Sequence, residues 1–135
     1  MDKILIRLGI PFFLFLFSCQ KNDNSSNNSS GNPSQGNWHI TLFSENGTDK
    51  TADFNGYIFI FGSDGVLTVQ RGAISKTGSW NSGANFSIDL GENSDNNKPQ
   101  GEITGTWKII SITDTEIKLT DDKTPSQATL NFAKL

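Results

Sequence analysis

A chain of 135 residues has room for one domain. Its 11 basic and 14 acidic residues give a net charge of −3, with the basic ones scattered, so nothing resembles the cationic patch that displaces counterions from nucleic acid. One cysteine and one histidine exclude an intrachain disulfide and a thiolate zinc site.

The first segment reads as an address. Lys3 and Arg7 precede an apolar run, Leu8 to Phe17, which is of signal-peptide length and too short to cross roughly 30 Å of hydrocarbon as a helix. The run shows no 3.6-residue period and passes into a polar tract without a cap, unlike a buried core helix. It closes on Leu16-Phe17-Ser18-Cys19, which resembles the lipobox of bacterial lipoproteins. The resemblance implies cleavage by signal peptidase II between Ser18 and Cys19 and a diacylglycerol on the Cys19 thiol. Leu16 argues against a signal peptidase I site, which needs small residues at both positions 16 and 18. Removal of residues 1–18 leaves 9 basic and 13 acidic residues, a net charge of −4. Two or three acyl chains, at about 0.8 kcal/mol per buried CH₂, anchor a protein stably where one does not.

Gln20-Lys21-Asn22-Asp23-Asn24 follows. It is similar to the surface-export tags of Bacteroidota lipoproteins, and it reads equally well as the start of a solvated linker. Residues 20–37 hold no aliphatic or aromatic side chain and are dominated by Asn and Ser. Such a stretch buries too little apolar surface to offset its ordering entropy, so residues 19–37 are expected to form a disordered tether.

From Trp38 to the C-terminus, short apolar segments alternate with turn residues. Trp38 to Phe43 alternates, with Trp38, Ile40 and Leu42 on one face, and Tyr57 to Phe61 is apolar on both faces. Leu67 to Gln70, a weaker Ala73 to Trp80, and Phe86 to Leu90 continue the series. Trp107 to Ile112 breaks phase at Ile109-Ile110, which predicts a bulge, and Glu116–Thr120 and Ala128–Phe132 finish it. Gly62-Ser-Asp-Gly65 and Thr113-Asp-Thr-Glu116 read as tight reversals. The long gaps, Ser44 to Asn55 and Gly91 to Gly101, lack helical periodicity, although the first has room for one short turn. About eight period-2 strands in residues 38–135 predict an all-β domain, an eight-stranded antiparallel barrel whose closure removes exposed edges, with a two-sheet sandwich as the competing architecture.

These segments resemble the small lipocalin-like lipoproteins of Bacteroidota. The residues that carry the likeness are Trp38-x-Ile40, Asp53 to Gly65, Gly78-Ser-Trp80, Trp107 to Leu119 and Leu130 to Leu135, with Gly36 two places before Trp38 as in the lipocalin Gly-x-Trp element. The resemblance implies a calycin-type barrel in an outer-membrane lipoprotein, facing either the periplasm or the cell surface. It implies no particular ligand.

Chemistry is sparse. His39 alternates with the apolar face of its strand and is expected to point to solvent, with no second His or Cys to share a metal. Asp121-Asp122 and Asp95-Asn-Asn97 lack calcium-loop spacing and read as solvated loops. No Gly-x-Ser-x-Gly elbow and no glycine loop opening a helix is present. Neither an enzyme, a metal site nor a cofactor is therefore expected. The remaining candidates are Trp38, Tyr57, Phe59, Phe61, Trp80, Phe86 and Trp107, which either fill the core or line a cavity, since eight-stranded barrels do both. The expected partners are the membrane, through the lipid, and a small apolar or glycan-like ligand at the mouth of a monomeric barrel. The alternative is a solid-cored interaction module that contacts proteins.

Overall fold

A computed structural model describes residues 31–135. The expected signal peptide of residues 1–18, the expected cleavage and lipidation residues Ser18 and Cys19, and the expected tether as far as residue 30 lie outside the described residues. The described chain forms β1 (Trp38–Glu45), β2 (Thr48–Asp49), β3 (Ile58–Phe61), β4 (Val66–Arg71), β5 (Ile74–Ser82), β6 (Asn85–Asp89), β7 (Gly105–Ile112), β8 (Glu116–Thr120) and β9 (Ala128–Lys134). Every pairing is antiparallel, and β1 pairs with β9 as well as with β3, so eight strands close into a barrel while β2 hangs on the end of β1. No α-helix occurs among the described residues; three 3-10 turns, Thr51–Phe54, Asp95–Asn97 and Gln100–Ile103, punctuate the long connections.

Up-and-down order fixes what lies at each end. The incoming chain, the β3–β4, β5–β6 and β7–β8 turns and the C-terminus share one end. The β1–β3, β4–β5, β6–β7 and β8–β9 connections share the other. The backbone agrees, since Gly31 N–H donates to the Ile112 carbonyl at 3.1 Å, beside the β7–β8 turn.

Alternation predicted the inward residues of most strands correctly. Phe59 and Phe61 of β3, Leu67 and Val69 of β4, Phe86 and Ile88 of β6, Ile117 and Leu119 of β8, and Leu130 and Phe132 of β9 are all buried. The bulge expected in β7 is present, its register slipping between Ile109 and Ser111 so that Ile110 is thrown outward. A second bulge was not anticipated. Between Ile40 and Leu42 the β1–β9 register also shifts, which reverses the faces beyond it. Phe43 is therefore fully buried and Leu42 only half-buried, contrary to the simple alternation of Trp38, Ile40 and Leu42.

The β1–β2 reversal is an Asn46-Gly47 hairpin, both residues at positive φ (51° and 78°), as a type I′ turn requires. After it, β1 and β3 pair only at Trp38 and Phe59. The Thr51–Phe54 turn supplies what β3 does not. Thr51 Oγ1 accepts from Phe43 N–H at 2.9 Å, Lys50 N–H donates to the Phe43 carbonyl at 2.7 Å, and Phe54 enters the core. Strand β5 has mostly exposed side chains and is held by backbone pairing to β4 and β6, which is why its sequence signal is weak.

The last part of the expected tether belongs to the domain. Residues 33–36 form a turn, Pro33 is buried, and the Trp38 indole Nε1 donates to the Pro33 carbonyl at 2.8 Å. Ordered structure thus begins before Trp38, because the indole offers a buried donor that the preceding polar residues satisfy with backbone.

Candidate functional site

The seven aromatics singled out from the sequence make the core. Trp38, Phe59 and Phe86 are fully buried, Phe61, Trp107 and Tyr57 nearly so, and Trp80 packs against them from the edge. Phe61 sits at the centre, with edge-to-face contacts to Trp80 at 5.2 Å, Phe86 at 5.5 Å and Phe132 at 5.4 Å between ring centroids. Phe59 meets Phe132 at 5.2 Å. Rings at these separations are in direct contact, so the cluster packs as one buried core. Six of the seven are buried in the core cluster and Trp80 is partly buried against it.

The three indoles also do polar work. Trp38 Nε1 holds the incoming chain at Pro33, Trp80 Nε1 donates to the Gly62 carbonyl at 2.8 Å in the β3–β4 turn, and Trp107 Nε1 donates to the Ile103 carbonyl at 3.0 Å. Each ties a connection to the barrel wall while satisfying an N–H that burial would otherwise strand.

His39 is half-buried rather than solvent-facing, and its Nδ1 is buried without a hydrogen-bond partner. It lies with Tyr57, Ile58 and the C-terminal Leu135 along the loosely paired β1–β3 seam, in a groove of about 320 Å³. Among the described residues no group of three or more His, Cys, Asp or Glu is placed to hold a metal, and no helix is long and apolar enough to cross a membrane.

The larger cavity is an open cleft of about 460 Å³ at the end of the barrel opposite the incoming chain. Glu45 and Asn46 come from the β1–β2 hairpin, Asn93, Glu102 and Thr104 from the β6–β7 connection. Thr106 and Trp107 begin β7, and Asp121, Asp122, Lys123 and Gln127 complete the wall from the β8–β9 connection. The lining therefore combines carboxylates, amides, hydroxyls and the Lys123 ammonium with Trp107, Gly105 and Ala128.

The Gln100–Ile103 turn sets the floor. Ile103 is fully buried and clamped by Trp107, and Gly101 packs so closely on the Glu92 backbone that a Cβ would collide with its carbonyl. Asn97 braces the same connection, its Nδ2 donating to the Leu90 carbonyl at 3.0 Å and the Glu92 carbonyl at 2.8 Å, while its Oδ1 accepts from Lys76. These constraints leave the Glu102 side chain only 7 % exposed. Its Oε1 lies 3.4 Å from Lys50 Nζ and 4.0 Å from Lys98 Nζ, and its Oε2 is buried without a partner. Lys50 also reaches Glu45 at 3.7 Å. Desolvation works against the Lys50 ammonium but is outweighed by Glu102 and Glu45, and its pKa rises above the ordinary lysine value.

Asp121 is a loop brace. It accepts from Ser126 Oγ at 2.8 Å and from the Gln127 N–H at 3.0 Å. Desolvation there is outweighed by these bonds and the Lys123 charge, and the carboxyl is held below the usual aspartate range. Asp122 remains an exposed loop residue. None of Glu45, Asn46, Asn93, Glu102 or Thr104 stood out in the sequence. Asn46-Gly47 carries a hairpin signal that would have placed Glu45 and Asn46 at a strand end, but nothing local marks Glu102.

No family model and no curated protein matches the chain. Its fold is similar to that of a DUF4847 family protein from Bacteroides vulgatus, known from a crystal structure, with a TM-score of 0.55 and 15 % sequence identity over 75 % of this chain and 93 % of that one. At that identity the likeness is one of fold.

Proposed function

We propose that the chain is an outer-membrane lipoprotein whose lipocalin-like barrel is a non-enzymatic binding module, taking a small hydroxyl-rich, glycan-like ligand in its polar end cleft. The observation that carries the reading is the cleft itself: about 460 Å³ of carboxylate, amide and hydroxyl lining, above an interior filled by aromatic side chains. The amides and carboxylates match the donor–acceptor pairs of sugar hydroxyls, and Trp107 and Ala128 give the same cleft an apolar surface for a ring face.

The anchor part of the proposal rests on the lipobox at Leu16 to Cys19. The polarity of the barrel supports the combination. The chain enters at one end and the cleft opens at the other, so a lipid on Cys19 would leave the cleft turned away from the bilayer.

The test is recovery of the full-length lipoprotein from its native membrane and mass spectrometry of co-purifying small molecules. Enrichment of a hydroxylated, water-soluble compound, lost when Thr104 and Gln127 are both changed to Ala, is the expected result. The filled core suits the alternative of an interaction module equally well. Co-purification of a protein partner with no small molecule would establish that reading instead.

A further inference from the structure

We infer that the ligand is a linear chain of several sugar-like rings rather than a single one, held along a polar path that runs from the end cleft over the lip of the barrel and onto its outer wall. The inference rests on the binding-module reading above and adds the length and the course of the ligand.

The path is built from three depressions that share residues. The end cleft and a shallow groove of about 400 Å³ on the outer wall meet at Thr104, Gly105 and Thr106, where β7 begins. That groove and a further one of about 310 Å³ meet at Ser79 of β5, Asp89 of β6 and Gly91. Strand register explains the lining. Ser79 pairs with Asp89 and Ser87 with Thr106, and these four alternate with the inward Trp80, Phe86, Ile88 and Trp107, so they stand on the outer face. Ser79, Asp89 and Thr106 are exposed and Ser87 is half-buried, all within a ligand's reach. Neighbouring strands lie about 4.8 Å apart, so crossing from β7 over β6 to β5 carries the path roughly 10 Å beyond the lip. A single ring seated in the cleft does not cover that distance.

One residue keeps the lip open. Gly105 holds φ at 153°, a conformation that favours glycine, and no atom lies within 4 Å of where its Cβ would stand. Cleft and wall therefore communicate at this position with no side chain between them. Beyond the lip, the hydroxyls of Thr106, Ser87 and Ser79 each offer a donor and an acceptor, as sugar hydroxyls do. Asp89 Oδ1 accepts from Gly91 N–H at 3.0 Å, which fixes that carboxylate where the two wall grooves join. Charges of both signs accompany the path. On the wall Asp89 and Glu92 stand with Lys76, and in the cleft the carboxylates stand with Lys123 and with Lys50 and Lys98, which pair with Glu45 and Glu102. Neither sign commands its length, which suits neutral hydroxyls repeated along a chain.

The experiment is titration of the full-length protein in detergent micelles, followed through its backbone amide NMR signals. The probes are neutral linear gluco-, galacto- and manno-oligosaccharides of increasing length, from disaccharide to hexasaccharide. In at least one series, affinity is expected to rise about tenfold from the shortest member to the longest, the gain from one or two added net hydrogen bonds. Only the longer members should shift the amides of Ser79 and Ser87. Ser79→Trp places a bulky side chain on the exposed junction of the two wall grooves, and it should bring the affinity of the longest member down to that of the shortest. If this variant does not fold, as judged by circular dichroism, the wall amides of the parent decide. Affinity independent of length, long probes that leave Ser79 and Ser87 unshifted, or a folded Ser79→Trp variant that keeps the full gain each overturn the inference while leaving the cleft as the binding site. Failure of every probe to bind the parent overturns the cleft reading and this inference with it.

Discussion

Trp38 and Pro33 meet through a single buried hydrogen bond, indole Nε1 to backbone carbonyl at 2.8 Å, which stitches the incoming chain to the first strand of the barrel. Both residues are buried, and the Lys134 ammonium lies over the same indole at 5.6 Å. Trp38→Phe keeps an aromatic ring but strands the Pro33 carbonyl and opens space beneath it. The expected loss is about 1–3 kcal/mol, read as a lowered midpoint in urea unfolding at unchanged slope.

Phe61 is the hub of the aromatic core, in edge-to-face contact with Trp80, Phe86 and Phe132. Phe61→Ala should cost about 3–5 kcal/mol, since three rings lose their common neighbour and close packing limits collapse into the void. Phe61→Leu should cost clearly less. Equal losses for the two variants in denaturant titration would show that the ring contacts are not what holds the core.

Gly78 lies in the middle of β5, opposite Leu67 of β4, where the backbone of Asp89 on β6 passes so closely that a Cβ would strike its carbonyl. Gly78→Ala is expected to destabilise by about 1–3 kcal/mol through overpacking. Gly83, in the turn after β5, has open space around it, so Gly83→Ala is the control and should leave the thermal midpoint within a degree or two.

Acid sensitivity should arise from two loop aspartates. Thr51 lowers the Asp49 pKa through its hydroxyl and its backbone N–H, and Asp121 is lowered, against its desolvation, by Ser126, Gln127 and Lys123. A carboxyl whose folded pKa lies below its unfolded one adds stability above the unfolded value, near 3.9, and this is lost as pH falls through the depressed folded value. Stability should therefore fall as pH drops below about 4. The double variant Asp49→Asn, Asp121→Asn should show a shallower fall. Thermal midpoints measured from pH 6 to pH 2 check this, and parallel curves would contradict it.

The anchor has its own test. Cys19→Ala should leave the protein uncleaved by signal peptidase II and unlipidated, and metabolic labelling with a clickable fatty acid should mark the parent and not the variant. Labelling that persists in the variant would place the lipid elsewhere.

Much of the barrel was legible in advance because its signals are local. Period-2 patterning in β3, β4, β6, β8 and β9 identifies the inward residues directly, and the doubled isoleucine at 109–110 announces the β7 bulge. Where the outcome depends on a partner strand, the pattern misleads. One slipped pair between β1 and β9 turns Phe43 inward and Leu42 outward, and nothing in Trp38 to Phe43 by itself demands that slip. Phe54 and Ile103 sit in irregular connections with no periodicity to display, yet both are core residues because short 3-10 turns aim them inward.

The amino-acid sequence by itself determined the all-β class, the approximate strand positions and the inward aromatics, because alternation along a strand is a property of consecutive residues. Only the tertiary structure decided that the barrel closes through β1 and β9, that those aromatics fill it, and that residues 31–37 join the domain. It alone decided the character of Glu102. Lys50 arrives from more than fifty residues away, and Gly101 and Trp107 hold the turn in place, so a glutamate that looks ordinary in the chain becomes a buried, half-satisfied carboxylate facing a cleft. Burial and pairing are properties of what packs around a residue, and neighbours that distant in sequence are visible only once the strands have closed.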